Sequence, residues 1–223
     1  MTIQGITEDD IANFLAHTPG FFERHAELLA SIQLTSPHGQ RAVSLQERQM
    51  EMLREKNKGL ERKIIEMIRN GQENVAIADR LQRCTRELLL TRDAGQLPEV
   101  LLAQLQHEFL VPQAALRVWD VAPEHAEREW AAAVSDDARS FATSLSLPYC
   151  GINSGFEAAR WLPDASTVTS VALIPLHAGP DAAFGLLVLG SPDPTRYQAE
   201  MGTDFLMSLG ETASAALSRL RVA

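Results

Sequence analysis

Val168-Thr-Ser-Val-Ala-Leu-Ile-Pro-Leu176, followed by Phe184-Gly-Leu-Leu-Val-Leu-Gly190, decides the fold of this 223-residue chain. Both runs are short, rich in β-favouring aliphatics and bounded by turn residues, so they read as two strands. The intervening His177-Ala-Gly-Pro-Asp-Ala-Ala183 makes them an antiparallel hairpin. The second run is apolar on both faces and therefore needs cover on both sides. Part of that cover comes from downstream, where Phe205, Leu206, Leu209, Ala213, Ala216, Leu217 and Leu220 recur at helical spacing.

Upstream of the hairpin, residues 97–109 have an amphipathic helical pattern with Pro98 early, and Val111-Pro112 stops it. Residues 114–119 alternate as a strand, with Ala114, Leu116 and Val118 on one side and Ala115, Arg117 and Trp119 on the other. Residues 130–134 read as a further strand and 138–145 as a short helix. Pro148-Tyr-Cys-Gly-Ile-Asn-Ser-Gly155 reads as a loop. The sum is an α+β domain over 93–223, an antiparallel sheet flanked by helices.

Residues 44–92 have another character. Ser44 and Glu47 stand at capping-box spacing, which starts a helix at Leu45. From there Leu53, Leu60, Met67, Asn74, Leu81 and Leu88 form one heptad series and Asn57, Ile64, Gly71, Ala78 and Thr85 the other. These are the d and a positions of a coiled coil. At 1.5 Å per residue the segment would reach roughly 70 Å, too long for one small domain to cover, so a second copy of the chain is the expected partner. Leu53, Asn57, Leu60, Ile64, Met67, Asn74 and Leu81 are the expected dimer contacts, the two asparagines fixing register. One helix packed in a bundle of its own chain is the alternative. Gly71, about 1 kcal/mol worse than alanine inside a helix, marks a soft point or kink.

Residues 1–43 read as a small helical module. Thr7 can cap a helix carrying Ile11, Phe14 and Leu15. Thr18-Pro19 has the N-cap and N1 pattern for a second, presenting Phe21, Phe22, Leu28, Leu29 and Ile32, with a turn at Ser36-Pro-His-Gly39. So few residues cannot enclose an independent core, and the module is expected to dock on the stalk or on the other subunit.

The net charge of −9 is uneven: residues 41–92 carry 12 Lys/Arg against 8 Asp/Glu, and the rest 8 against 21. The acidic remainder disfavours phosphate backbones, so nucleic acid is not an expected partner. No apolar run has the length of a membrane span, and the start lacks the pattern of a signal peptide, which leads us to expect a cytoplasmic protein. Cys84 and Cys150 fall in different segments, and six scattered histidines show no metal-ligand spacing.

Several blocks carry a resemblance. The hairpin and final helix look like the closing elements of GAF domains. More specifically, Thr18-Pro-Gly-Phe-Phe22, Ser44-Leu-Gln-Glu-Arg-Gln49, Leu53-Arg-Glu-Lys-Asn57, Cys150-Gly151, Gly190-Ser-Pro-Asp-Pro194 with Tyr197, and Gly202-Thr-Asp-Phe-Leu206 resemble an uncharacterised bacterial family, number 484 among the domains of unknown function. The resemblance implies a GAF-like domain behind a helical dimerisation segment, with no established activity. Genes of that family often neighbour one for a site-specific tyrosine recombinase, an association that supplies no mechanism.

If the GAF-like sheet holds a small ligand under the loop at 149–161, its candidate lining is Arg117, Trp119, Tyr149, Cys150, Asn153 and Trp161. Arg117 and Trp119 on one strand face would offer a cation and a stacking surface. Equally, Trp119 packs under a loop while Arg117 pairs with a carboxylate such as Glu129. Ala114, Ala115 and the run at 131–133 allow packing close enough to shut the pocket. The signature of cyclic-nucleotide GAF domains is absent, and no cofactor is indicated. Cys150 lacks a neighbouring histidine base, and the GAF-like reductases of free methionine sulfoxide use several cysteines. Gly190-Ser-Pro-Asp-Pro-Thr195 lacks the Gly-Lys-Ser/Thr end of a phosphate loop and reads as a rigid turn. The leading expectation is a noncatalytic regulatory homodimer whose domain binds a small ligand and biases the stalk. An adaptor with a closed pocket and a small thiol-dependent redox enzyme are the alternatives.

Overall fold

The computed structural model describes residues 5–35, 42–179, 182–198 and 203–222. The chain divides into two compact units, 1–71 and 72–223.

In the first unit, α1 (Glu8–His17) begins at a reciprocal cap: the Asp10 amide donates to Thr7 Oγ1 at 3.2 Å, and the Thr7 amide to Asp10 Oδ2 at 2.9 Å. Hydrogen bonding to Thr7 holds the Asp10 carboxyl below its ordinary pKa. The expected second helix is two short ones, α2 (Phe21–Arg24) and α3 (Ala26–Ser31). It starts at Phe21 and not at Pro19 because Thr18 instead closes α1, its amide bonded to the Leu15 carbonyl. Phe21 gathers Phe14, Phe22 and His25 around it at ring separations of 5.9, 5.3 and 4.7 Å. A strand pair that the sequence did not announce follows, β1 (Gln33–Thr35) antiparallel to β2 (Ala42–Ser44). The turn expected at 36–39 lies outside the described residues. None of the residues in this unit whose burial is described is buried.

The long helix α4 (Leu45–Leu90) starts at the expected residue and stays helical through Gly71. Open space surrounds the position where Gly71 would carry a β-carbon.

The second unit is built on a four-stranded antiparallel sheet. Its strands are β3 (Gln113–Val118), β4 (Tyr149–Ile152), β5 (Ser170–Leu176) and β6 (Gly185–Ser191), in the order β3-β6-β5-β4. Alternation sorts its side chains. Ala114, Leu116, Val118, Ala172, Ile174, Leu176, Leu187 and Leu189 face one core, together with helices α5 (Leu97–Phe109) and α7 (Asp204–Leu217). Cys84 and Leu88, from the last turns of α4, are fully enclosed in that core. Ala115, Trp119, Val171, Leu173, Leu186 and Val188 face the other core, under α6 (Asp136–Ser144) and the 3-10 turn Glu157–Trp161. Every residue of β5 and β6 is buried, as strands covered on both faces require.

Two expectations fail here. Residues 130–134 form no strand: Glu129–Ala131 is a 3-10 turn that turns Trp130 inward beside His125, ring centres 5.8 Å apart. Tyr149–Ile152, read as loop, is the edge strand paired with β5. A pairing partner some 20 residues away replaces the local signal that Gly151 and Asn153 weaken.

Candidate functional site

The residues expected to line one pocket are divided by the sheet. Tyr149 and Cys150 are consecutive in a strand, so they point to opposite faces. Tyr149 lies on the α6 side with Arg117, Trp119 and Trp161, whereas Cys150 belongs to the α5/α7 core, which corrects its place in the candidate lining. Gly151 makes room for Tyr149: a β-carbon there would stand 2.7 Å from the phenol oxygen. The Tyr149 ring meets Phe156 edge-on at 5.1 Å, and Phe156 in turn meets Phe141 of α6 at 5.6 Å.

Trp119 is buried, and its indole N–H donates to the Ala183 carbonyl at 2.8 Å. It therefore packs under the loop before β6. Arg117 does not pair with Glu129; its guanidinium lies over the Trp161 ring, 5.8 Å from the centroid. Asn153 is committed to the backbone, its amide nitrogen donating to the Val168 carbonyl and its oxygen accepting from the Gly155 amide, both at 3.1 Å. These bonds hold the loop that follows β4.

Small side chains, Ala115, Ala142, Ala158 and Ala159, bring the covering elements close to the sheet. What remains there is a cavity of about 160 Å³ lined by Phe141, Phe156, Ala158 and Leu186, with Asp137 and Glu157 at its rim. Glu157 is fixed by the hydroxyl of Ser135, the residue that caps α6. On the opposite side, a cleft of about 510 Å³ lies between the end of β5 and α7, bordered by His177, Glu211 and Ser214. A third hollow, about 650 Å³, opens between Trp119, α6 and Arg221. Of the expected lining residues, only Trp119 borders any of these three spaces. Reading residues for chemistry missed Arg139 and Arg221, which border the third. They stand far apart in sequence, Arg139 in the first turn of α6 and Arg221 just after the last turn following α7, and neither stands in a local motif.

The thiols are poor nucleophiles. Cys84 is fully enclosed, and burial pushes its pKa up to about 11. Burial also raises that of Cys150. The Tyr197 side chain is buried, and burial raises its pKa against the nearby Arg196, which lowers it. Of Gly190-Ser-Pro-Asp-Pro-Thr195, the first two residues end β6 and the rest form the turn that follows: Asp193 Oδ1 accepts from the Thr195 amide at 2.8 Å, and Ser170 Oγ donates to the Asp193 carbonyl at 2.6 Å. The bond from Thr195 keeps the Asp193 carboxyl below its ordinary range. Among the described residues no group of three His, Cys, Asp or Glu side chains could hold a metal, and no helix is long and apolar enough to cross a membrane.

Outside comparisons agree with this fold. The family described as "Protein of unknown function, DUF484" matches residues 1–222. Among solved structures, the GAF domain of a phosphoenolpyruvate-protein phosphotransferase from Coxiella burnetii is similar at 12% identity and a TM-score of 0.50, over 65% of this chain and 94% of that one. The GAF domain of an Acinetobacter phosphoenolpyruvate-protein phosphotransferase, at 15% identity and a TM-score of 0.48, covers 64% of this chain and 92% of its own. The first likeness shows a GAF-like fold and nothing finer. No curated protein matches this chain.

Proposed function

Because the chain belongs to the DUF484 family of proteins of unknown function and folds as a GAF-like domain behind a long helix, we propose that it is a noncatalytic regulatory homodimer. In this reading a small ligand in the domain biases the helical stalk, and the signal passes to a separate cytoplasmic protein.

The observation that carries the reading is the apolar stripe of α4. Leu53, Leu60, Ile64 and Met67 are 59, 50, 55 and 72% exposed, although their heptad spacing is that of a buried seam. Covering such a stripe in water yields about 25 cal/mol per Å² of apolar surface removed, and an identical helix covers it in register. Charge complementarity favours a parallel second copy. Lys56 falls at a g position and Glu61 at the following e position, the two that meet across a parallel seam. Leu81 is placed differently from the others, partly packed on the domain core. The same helix thus ends inside the domain, which supplies a physical link between pocket and stalk. The buried, weakly acidic thiols support a noncatalytic role.

The adaptor reading has its own support. A cavity of about 160 Å³ over the sheet is smaller than the ~300 Å³ at which small-molecule pockets begin, so a partner protein would be the effector of a closed domain.

Light scattering coupled to size exclusion tests the stalk. Wild type is expected at twice the chain mass, and the Leu60→Glu/Met67→Glu variant at the monomer mass or aggregated. An unchanged dimer moves the interface off α4. Native mass spectrometry of freshly purified protein tests the sensor: a retained small molecule favours it, and a bare chain favours the adaptor.

A further inference from the structure

The groove at one end of the sheet is bordered by two arginines, Arg139 with one exposed carboxylate partner and Arg221 with no ion pair among the described residues. Arg221 lies with its guanidinium over the ring of the buried Phe184, 5.2 Å from the centroid. Its Nε is shut off from solvent without an acceptor, and among the described residues the side chain makes no ion pair. Its position is set by the backbone, which bridges Val121, and by the aromatic face of Phe184. Arg139 of α6 lies over Trp119 at 5.5 Å and, among the described residues, meets one carboxylate, in a 3.3 Å bond to Asp120 Oδ1. Both arginines border the same hollow of about 650 Å³ with the hydroxyls of Ser140 and Thr143.

A guanidinium carries five N–H donors and matches carboxylate or phosphate oxygens in pairs. Among the described residues the terminal N–H groups of Arg221 meet no carboxylate, which leaves them to donate to an oxyanion in the groove. The size is that of a small-molecule site. The acidic balance of the chain, −9 overall, repels nucleic acid and anionic membranes while leaving local room for one compact anion. Asp120 competes for Arg139, but its side chain is 64% exposed, and an exposed pair of this kind is weak. The C-terminal carbonyls of α6 also oppose an anion, and two guanidiniums outweigh them.

We propose that this groove is an oxyanion site for a small carboxylate- or phosphate-bearing molecule, clamped by Arg139 and Arg221 with Asp120 as the competitor it displaces. The proposal deepens the ligand-sensing reading and rests on it for any consequence in the stalk.

The test is isothermal titration calorimetry of the full chain with phosphate, pyrophosphate, succinate and citrate at constant ionic strength. At least one should bind saturably, and the preference between the phosphate and carboxylate pairs identifies the source of the oxyanion. Arg221→Gln and Arg139→Gln should each weaken it by about tenfold or more, the loss of one charge-assisted contact. Asp120→Asn should tighten it severalfold; Asp120 has a φ of 59°, a conformation asparagine also tolerates. If Arg221→Gln fails to fold, Arg139→Gln on the helix surface decides alone. The proposal is overturned if none of the four probes saturates below about 10 mM, or if the arginine variants bind as wild type does. A different molecule retained in native mass spectrometry, with all four probes inert, overturns this site while leaving the sensor reading standing.

Discussion

Gly210 of α7 stands against Ile174 of β5 so closely that a β-carbon on the glycine would lie 2.8 Å from the isoleucine Cγ2. The contact sets how near the helix approaches the sheet, and a branched side chain cannot swing away. Gly210→Ala gains up to about 1 kcal/mol of helix propensity but overpacks the contact by about 1–3. A net loss of stability is expected, read as a lower denaturant midpoint at unchanged slope; a midpoint at or above wild type would mean that α7 can move outward freely.

Leu88 and Leu60 lie on one heptad series of one helix and should respond oppositely. Leu88 is 2% exposed, so Leu88→Ala should lower domain stability by about 2–5 kcal/mol and leave the mass in light scattering unchanged. Loss of the dimer in Leu88→Ala, with a stable domain, would assign Leu88 to the interface.

Neither cysteine should react with a thiol reagent in the native protein at pH 8. With a pKa of about 11, Cys84 is thiolate in roughly one molecule per thousand, and Cys150 is shifted the same way. Both should titrate on addition of denaturant. Prompt labelling of Cys150 would bring back the thiol enzyme.

Glu108 accepts two hydrogen bonds from Arg83, at 3.0 and 2.7 Å, and its carboxyl is held below the ordinary range chiefly by that contact. A depressed carboxyl pKa stabilises the fold above its unfolded value and loses that contribution as pH falls through the folded one. Wild type should therefore exceed Glu108→Gln in melting temperature at neutral pH, with the gap closing on acidification below the normal carboxylate range. A gap that stays constant with pH would mean that the carboxylate charge contributes nothing.

The sheet was largely readable because its two faces differ at single-residue resolution: Leu116 and Leu187 go to one core, Ala115 and Leu186 to the other. The start of helix α4 at Leu45 and its length were equally open to reading. What failed was pairing over distance. Nothing near Tyr149 announces Leu173 as its ladder partner, so the strand passed for a loop and Cys150 was grouped with residues on the other side of the sheet. Trp130 misled because a bulky residue before alanines suits a strand as well as a turn, and only burial beside His125 separates the two. Arg139 and Arg221 meet one groove only after the chain has closed on itself.

The burial of Cys84 and Leu88 bears on where this protein can be divided. Arg83 of α4 reaches Glu108, and Arg219 bonds the carbonyls of Thr91 and Arg92 just past its end, so the end of α4 and the residues after it are stitched to the domain. A fragment cut at the apparent junction near residue 92 would lack two plugs of its own interior and expose the apolar trough that held them. The compact unit that holds this core begins at residue 72, inside α4. For any gene that borrows this domain, a length of shaft is part of the inherited unit.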